Sequence, residues 1–78
     1  MVLEVRILNK NENHDIDVDN NITAYELVNA LNIAFQLGID TDDISQCYIR
    51  TENPICLLRG DKKIIDFGIH EGTIINIL

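Results

Sequence analysis

The residues best placed to do chemistry are the carboxylates between Asp15 and Glu26, in the stretch DIDVDNNITAYE. Calcium takes oxygen ligands, and a calcium-binding loop sets them at positions one, three, five and twelve, with an apolar residue at eight. Asp15, Asp17, Asp19 and Glu26 fill the ligand positions and Ile22 the apolar one. Position six, where such a loop turns sharply, is Asn20 instead of glycine. The segment ahead of it alternates like a strand and supplies no entering helix, and Glu26 has a competing role in a helix cap. The expectation is that this stretch holds no metal.

The other reactive residue types are dispersed. His14 and His70 fall in expected turns, with no paired cysteines or carboxylates at ligand spacing. Cys47 and Cys56 lie in apolar, strand-like stretches where buried free thiols are common, and a pair is too few for a disulfide scaffold. Asp40, Asp42 and Asp43 read as a solvated acidic loop that can cap a short turn at Ile44. Gly60, Gly68 and Gly72 belong to separate turns and form no phosphate cradle. No Ser-His-Asp or Cys-His constellation is visible. The expectation is no catalytic residue, no cofactor and no metal: a protein that is not an enzyme.

The element that organises the chain is a helix from Thr23 to Leu37. Ala24, Leu27, Leu31 and Ala34 recur at three- and four-residue steps, with Val28 and Phe35 widening the stripe. Thr23 and Glu26 form a capping box, Ile22 and Leu27 a hydrophobic staple, and Gly38 closes the far end. Such a helix must cover a surface. Val2 to Leu8 alternates, with Leu3, Val5 and Ile7 on one side, and predicts a strand. Asn9 to His14 predicts a polar turn, and Asp15 to Asp19 a second strand with Ile16 and Val18 inward. After a polar connection from Ile39 to Ser45, Cys47 to Thr51 predicts a third strand, with Cys47, Ile49 and Thr51 inward. Ile55 to Leu58 predicts a fourth. Ile64, Ile65, Phe67 and Ile69 read as apolar anchors of a loop, and Thr73 to Leu78 as the last strand.

Strand, strand, helix and three more strands predict an α+β domain over residues 1–78: a mixed ββαβββ sheet with one helix packed across it, the β-grasp arrangement. The chain has 78 residues, enough for one core. Its formal net charge of −7 disfavours nucleic acid and anionic membrane surfaces as partners. No apolar run approaches the ~20 residues that span a bilayer, so no membrane insertion is expected. Charges run through residues 1–20 with no signal-peptide pattern, which predicts a cytoplasmic protein.

Ile64-Ile65-Asp66-Phe67-Gly68-Ile69, then Gly72-Thr73 and an alternating last strand, resembles ubiquitin-like domains. These carry a similar leucine-x-aspartate-aromatic-x-isoleucine segment before their last strand. The opening hairpin and the Thr-started helix match in order and spacing. Within that superfamily the chain resembles the small YukD-like (EsaB-like) proteins of bacterial type VII secretion. The likeness lies in total length, the Ile49-Arg50 strand, the spacing to Asp66-x-Gly68-Ile69, and the ending Ile75-Asn76-Ile77-Leu78. It implies an accessory component of secretion that docks on a membrane-anchored component or its ATPase. Sulfur carriers and conjugated modifiers resemble this fold too, but they act through a flexible terminal Gly-Gly. The end at Ile77-Leu78 disfavours that carrier chemistry.

What remains is a surface. With the inward residues set against the helix, Arg6, Leu8, Tyr48, Arg50, Ile74, Asn76 and Leu78 share the opposite face of the sheet. Aliphatics edged by Tyr and Arg have the composition of protein-binding sites. Tyr48, Ile74 and Leu8 are the expected anchors, with Arg6 and Arg50 setting register. Tyr25 and Ile33 on the helix offer a second patch, and an exposed edge strand leaves a weak homodimer open.

Overall fold

Thr23 starts the helix as its sequence requires. In the computed structural model, which describes residues 1–77, Thr23 is extended and its Oγ1 accepts the Glu26 N–H at 3.1 Å. The Glu26 Oε1 in return accepts the Thr23 N–H at 3.1 Å. Two further N–H groups of the first turn, which no helix can satisfy internally, donate to a distant loop: Ala24 to the Lys62 carbonyl and Tyr25 to the Gly60 carbonyl, each at 2.9 Å. The helix, α1, spans Ala24–Phe35 and buries Ala24, Leu27, Val28 and Leu31.

The stripe ends sooner than its period suggests. Ala34 is exposed and Phe35 half-buried, and the left-handed closing residue is Gln36, at φ 53°, not Gly38. The cause is Asn32. Its side chain donates to the Ile39 carbonyl at 3.0 Å and accepts the Ile39 N–H at 2.9 Å. This pair of hydrogen bonds folds the chain back so that Leu37 and Ile39 reach the core. It offsets the roughly 1 kcal/mol that a left-handed non-glycine residue costs. Gly38, at φ 74°, bends the loop that follows.

Five strands form one mixed sheet in the order β2-β1-β5-β3-β4, comprising β1 Val2–Ile7, β2 Glu12–Asp17, β3 Ile49–Glu52, β4 Cys56–Leu58 and β5 Ile74–Ile77. β1 and β5 run parallel at its centre, with Val5 opposite Ile75, and the other neighbours are antiparallel. Burial alternates along β1, β3 and β5, as a sheet covered on one face requires. The first hairpin turns more tightly than its polar composition suggests. A 3-10 turn over Leu8–Lys10 closes on left-handed Asn11, so β2 begins at Glu12. His14 therefore lies in a strand, opposite Val5, with its ring centroid 5.1 Å from that of Phe35. β3 begins at Ile49, leaving inward-facing Cys47 just ahead of it.

One core joins Leu3, Val5, Ile7, Ile49, Leu58, Ile75 and Ile77 of the sheet to the buried face of α1. Ile64 and Ile69, from the segment between β4 and β5, complete it. A 3-10 turn, Ile64–Phe67, points Ile64 inward and leaves Ile65 43% exposed, so Ile65 is not the anchor its hydrophobicity suggests. The buried hydroxyls have partners: Thr73 donates to the Asn53 carbonyl and Thr51 to the Pro54 carbonyl, both at 2.8 Å.

Three variants test this account by urea unfolding. Leu27→Ala removes a fully buried side chain and should cost about 3 kcal/mol, whereas Ile33→Ala, 73% exposed, should stay within about 0.5 kcal/mol. Thr23→Ala removes the cap and should cost about 1 kcal/mol.

Candidate protein-interaction surface

The register fixes what the uncovered face of the sheet displays. Arg6 stands opposite Asn76, Asn76 opposite Arg50, and Arg50 opposite Leu57. One step along, Asp15 stands opposite Glu4, Glu4 opposite Ile74, and Ile74 opposite Glu52. Arg6, Asn76, Arg50 and Ile74 are thus brought together as their alternation predicts. Leu8 and Tyr48 are exposed, Leu8 in the 3-10 turn after β1 and Tyr48 immediately ahead of β3. Leu78 lies outside the described residues.

The face is more graded than a simple apolar patch. Asp15 and Asp17 line the β2 margin, opposite Glu4 and Val2. Ile74 is half-buried between Glu4 and Glu52. The apolar side is at β3 and β4, where Leu57 joins Tyr48 and where Ile55 is 89% exposed. Leu57 and Ile55 were not foreseen. The signal for Leu57 was present: Leu58 suits the core, so its neighbour must face outward.

Most charges on this face already have partners. The Arg6 Nη2 donates to Glu4 Oε2 at 3.1 Å, and the Asn76 Nδ2 donates to Glu52 Oε1 at 2.7 Å. Arg50 makes no ion pair or side-chain hydrogen bond among the described residues. It borders two open hollows. One, of about 370 Å³, is lined by Leu37, Ile39, Tyr48, Ile49 and Ile77 among others. The second, of about 560 Å³, is lined by Ile55, Cys56 and Leu57 with Thr51 and Glu52. Arg50 and Asn76 border both.

The other candidates lead elsewhere. Asp17 receives the Met1 ammonium at 2.9 Å, Asp19 accepts the Asn21 N–H at 2.8 Å, and Glu26 is held in the helix cap. Among the described residues no three His, Cys, Asp or Glu side chains converge as ligands. His14 faces Glu12 at 3.2 Å, and the His70 ring lies against the Glu71 carbonyl at 2.8 Å. Both cysteines are free thiols. Cys47 is buried against the carbonyls of Asp40 and Asp43, and Cys56 shares a hydrogen bond with Thr51. On the helix, Tyr25 packs against the core and leaves Ile33 alone in solvent, so no second patch forms. No helix among the described residues is long and apolar enough to cross a membrane.

No protein-family model matches this chain, and comparison with curated proteins finds no significant relative.

Tyr48 is aimed by the turn before it. Asp43 caps a 3-10 turn, Ile44–Gln46, accepting the Ser45 N–H at 3.1 Å, the Ser45 hydroxyl at 2.6 Å and the Gln46 side-chain amide at 3.1 Å. These bonds favour the ionised carboxylate, the Ser45 hydroxyl most, and hold its pKa below the usual 3.8. A depressed carboxylate adds stability above its unfolded value and loses it as pH falls through its folded value. The Asp43 carboxyl resonance should therefore titrate below 3.8, and Ser45→Ala should raise that midpoint toward the ordinary range. An unmoved midpoint in the variant counts against the hydroxyl as the main cause.

Proposed function

We propose that this protein is a non-enzymatic, ubiquitin-like β-grasp module that acts in the cytoplasm as an accessory component of type VII protein secretion. It docks on a membrane-anchored component of that machinery, or on its ATPase, through the open face of its sheet. The observation that carries this reading is the strand order β2-β1-β5-β3-β4, with α1 placed between β2 and β3. That order supports the β-grasp assignment, because it sets the first and last strands side by side and parallel beneath one helix.

The segment that carries the family resemblance behaves consistently with it. Asp66 and Phe67 end a 3-10 turn, Gly68 takes φ 84° and Ile69 is buried, so the motif is a structural plug that delivers the chain to β5. The surface supports docking in turn. Tyr48, Leu57 and Leu8 are exposed together with Arg50, and Tyr and Arg are enriched at protein interfaces while isolated aliphatics are not unusual. Small domains seldom leave such side chains grouped on one face without a use.

The test is a paired substitution on the full chain in a cell that carries the secretion apparatus. Tyr48→Asp removes the aromatic anchor. Ile74→Lys places a cation between Glu4 and Glu52, where it is tolerated electrostatically. The doubly substituted protein should keep its amide spectrum and unfolding midpoint but no longer co-purify with the membrane-anchored secretion component. Undiminished co-purification of the folded variant overturns docking by this face.

A further inference from the structure

The two margins of the sheet are unlike, and the β2 margin has binding chemistry of its own, independent of the docking face proposed above. The Glu4 N–H bonds the Thr73 carbonyl and the Gly72 N–H bonds the Val2 carbonyl, so the even-numbered residues of β1 turn their backbone toward β5. Leu3, Val5 and Ile7 therefore bond β2, at Ile16, His14 and Glu12. By alternation Asn13, Asp15 and Asp17 point their N–H and C=O groups away from the sheet, and no hydrogen bond among the described residues reaches them. Six residues make this edge about 20 Å long, in continuous register with β1 and without proline. β4, the other margin, has three residues. We infer that the β2 edge takes up an extended protein segment as an added strand, one in which Lys or Arg alternates with apolar residues.

The two sides of the edge supply the two halves of that pattern. The side chains of Asp15 and Asp17 lie on the open face of the sheet. Asp15 makes no ion pair among the described residues, and the Met1 ammonium occupies only the Oδ1 of Asp17. Of the nearby cations, Arg6 neutralises Glu4, and Lys10 lies in the turn beyond the Glu12 end of the strand. Asp15 and the second oxygen of Asp17 are left to be met. On the covered face the same edge is bordered by His14, Ile16 and half-buried Phe35, the two rings 5.1 Å apart. A residue opposite Asp15 or Asp17 thus meets a carboxylate, and the residue between them meets Ile16 and the aromatic pair. Charge turns other occupants away. A second copy, paired antiparallel through all six residues of β2, sets Glu12 against Asp17 twice, and an acidic strand or a nucleic acid meets the same repulsion. The aspartates that keep two copies apart attract a basic strand.

The probe is an end-blocked peptide, Lys-Val-Lys-Ile-Lys-Val-Lys, titrated into the folded full chain and followed by amide spectra and hydrogen exchange. It should bind, and exchange should slow at the Asn13, Asp15 and Asp17 amides, which face outward in the free protein. Asp15→Lys combined with Asp17→Lys should keep the unfolding midpoint and weaken the peptide about tenfold. Three altered peptides make the same test without touching the protein. One carries Glu in place of Lys, one has the order Lys-Lys-Lys-Lys-Val-Ile-Val, and one is N-methylated at the lysine backbone amides that would bond β2. Each should bind about tenfold more weakly than the parent. Equal binding of any of the three, unchanged exchange at those amides, or no binding at about 1 mM parent peptide overturns the inference. Shifts centred on Tyr48, Arg50 and Leu57 place the peptide on the open face instead and overturn it as well.

Discussion

The contact on which the rest depends is the seating of the helix N-terminus on the loop between β4 and β5. Ala24 and Tyr25 give their otherwise unpaired N–H groups to the Lys62 and Gly60 carbonyls, and Thr23 forms an isolated bridge with Lys63. The Ile64 N–H then returns to the Ile22 carbonyl. Unmade, each buried bond of this kind leaves a polar group whose desolvation costs about 1–3 kcal/mol. Because the partners are far apart in sequence, the bonds also set the path of the chain. They bring Ile64 under the helix and point the following residues toward the sheet's centre.

That path explains the central parallel pair. A strand entering beside β1 must come from the same end of the sheet, and Gly72, whose N–H bonds the Val2 carbonyl, delivers it there. Helix and sheet then enclose one core from a single side. Among the described residues no second layer covers the opposite face. Its polar side chains must satisfy one another, as Glu4 with Arg6 and Glu52 with Asn76 do, or remain available to something else.

The parts of this fold that were legible in the sequence are those fixed by short-range periodicity. The alternation of Leu3, Val5 and Ile7, the early helical stripe and the Thr23–Glu26 cap each follow from neighbours within a turn or a pleat. What was not legible was set by distant partners. Ala34 fits the helical period and lies in the last turn of α1, yet it is exposed, because the Asn32–Ile39 clasp brings Leu37 and Ile39 to the core in its place. Ile65 is as apolar as Ile64, but the 3-10 turn allows only one of them inward. The candidate surface divides in the same way. Arg6, Arg50, Ile74 and Asn76 follow from alternation once the neighbouring strands are known. The aspartates that border the face, and the separation of engaged from unengaged charge, depend on register, which a single sequence does not print.

The aspartate border has a consequence for how encounters begin. Asp15 and Asp17 occupy one flank of the sheet, while Arg50 lies toward the opposite flank. The domain is therefore electrically lopsided across its width. Within a Debye length such lopsidedness exerts a torque on an incoming charged molecule and favours one angle of arrival before any atoms touch. A tumbling domain this small can discard most wrong orientations at that stage, so the time lost to unproductive collisions depends on the salt around it.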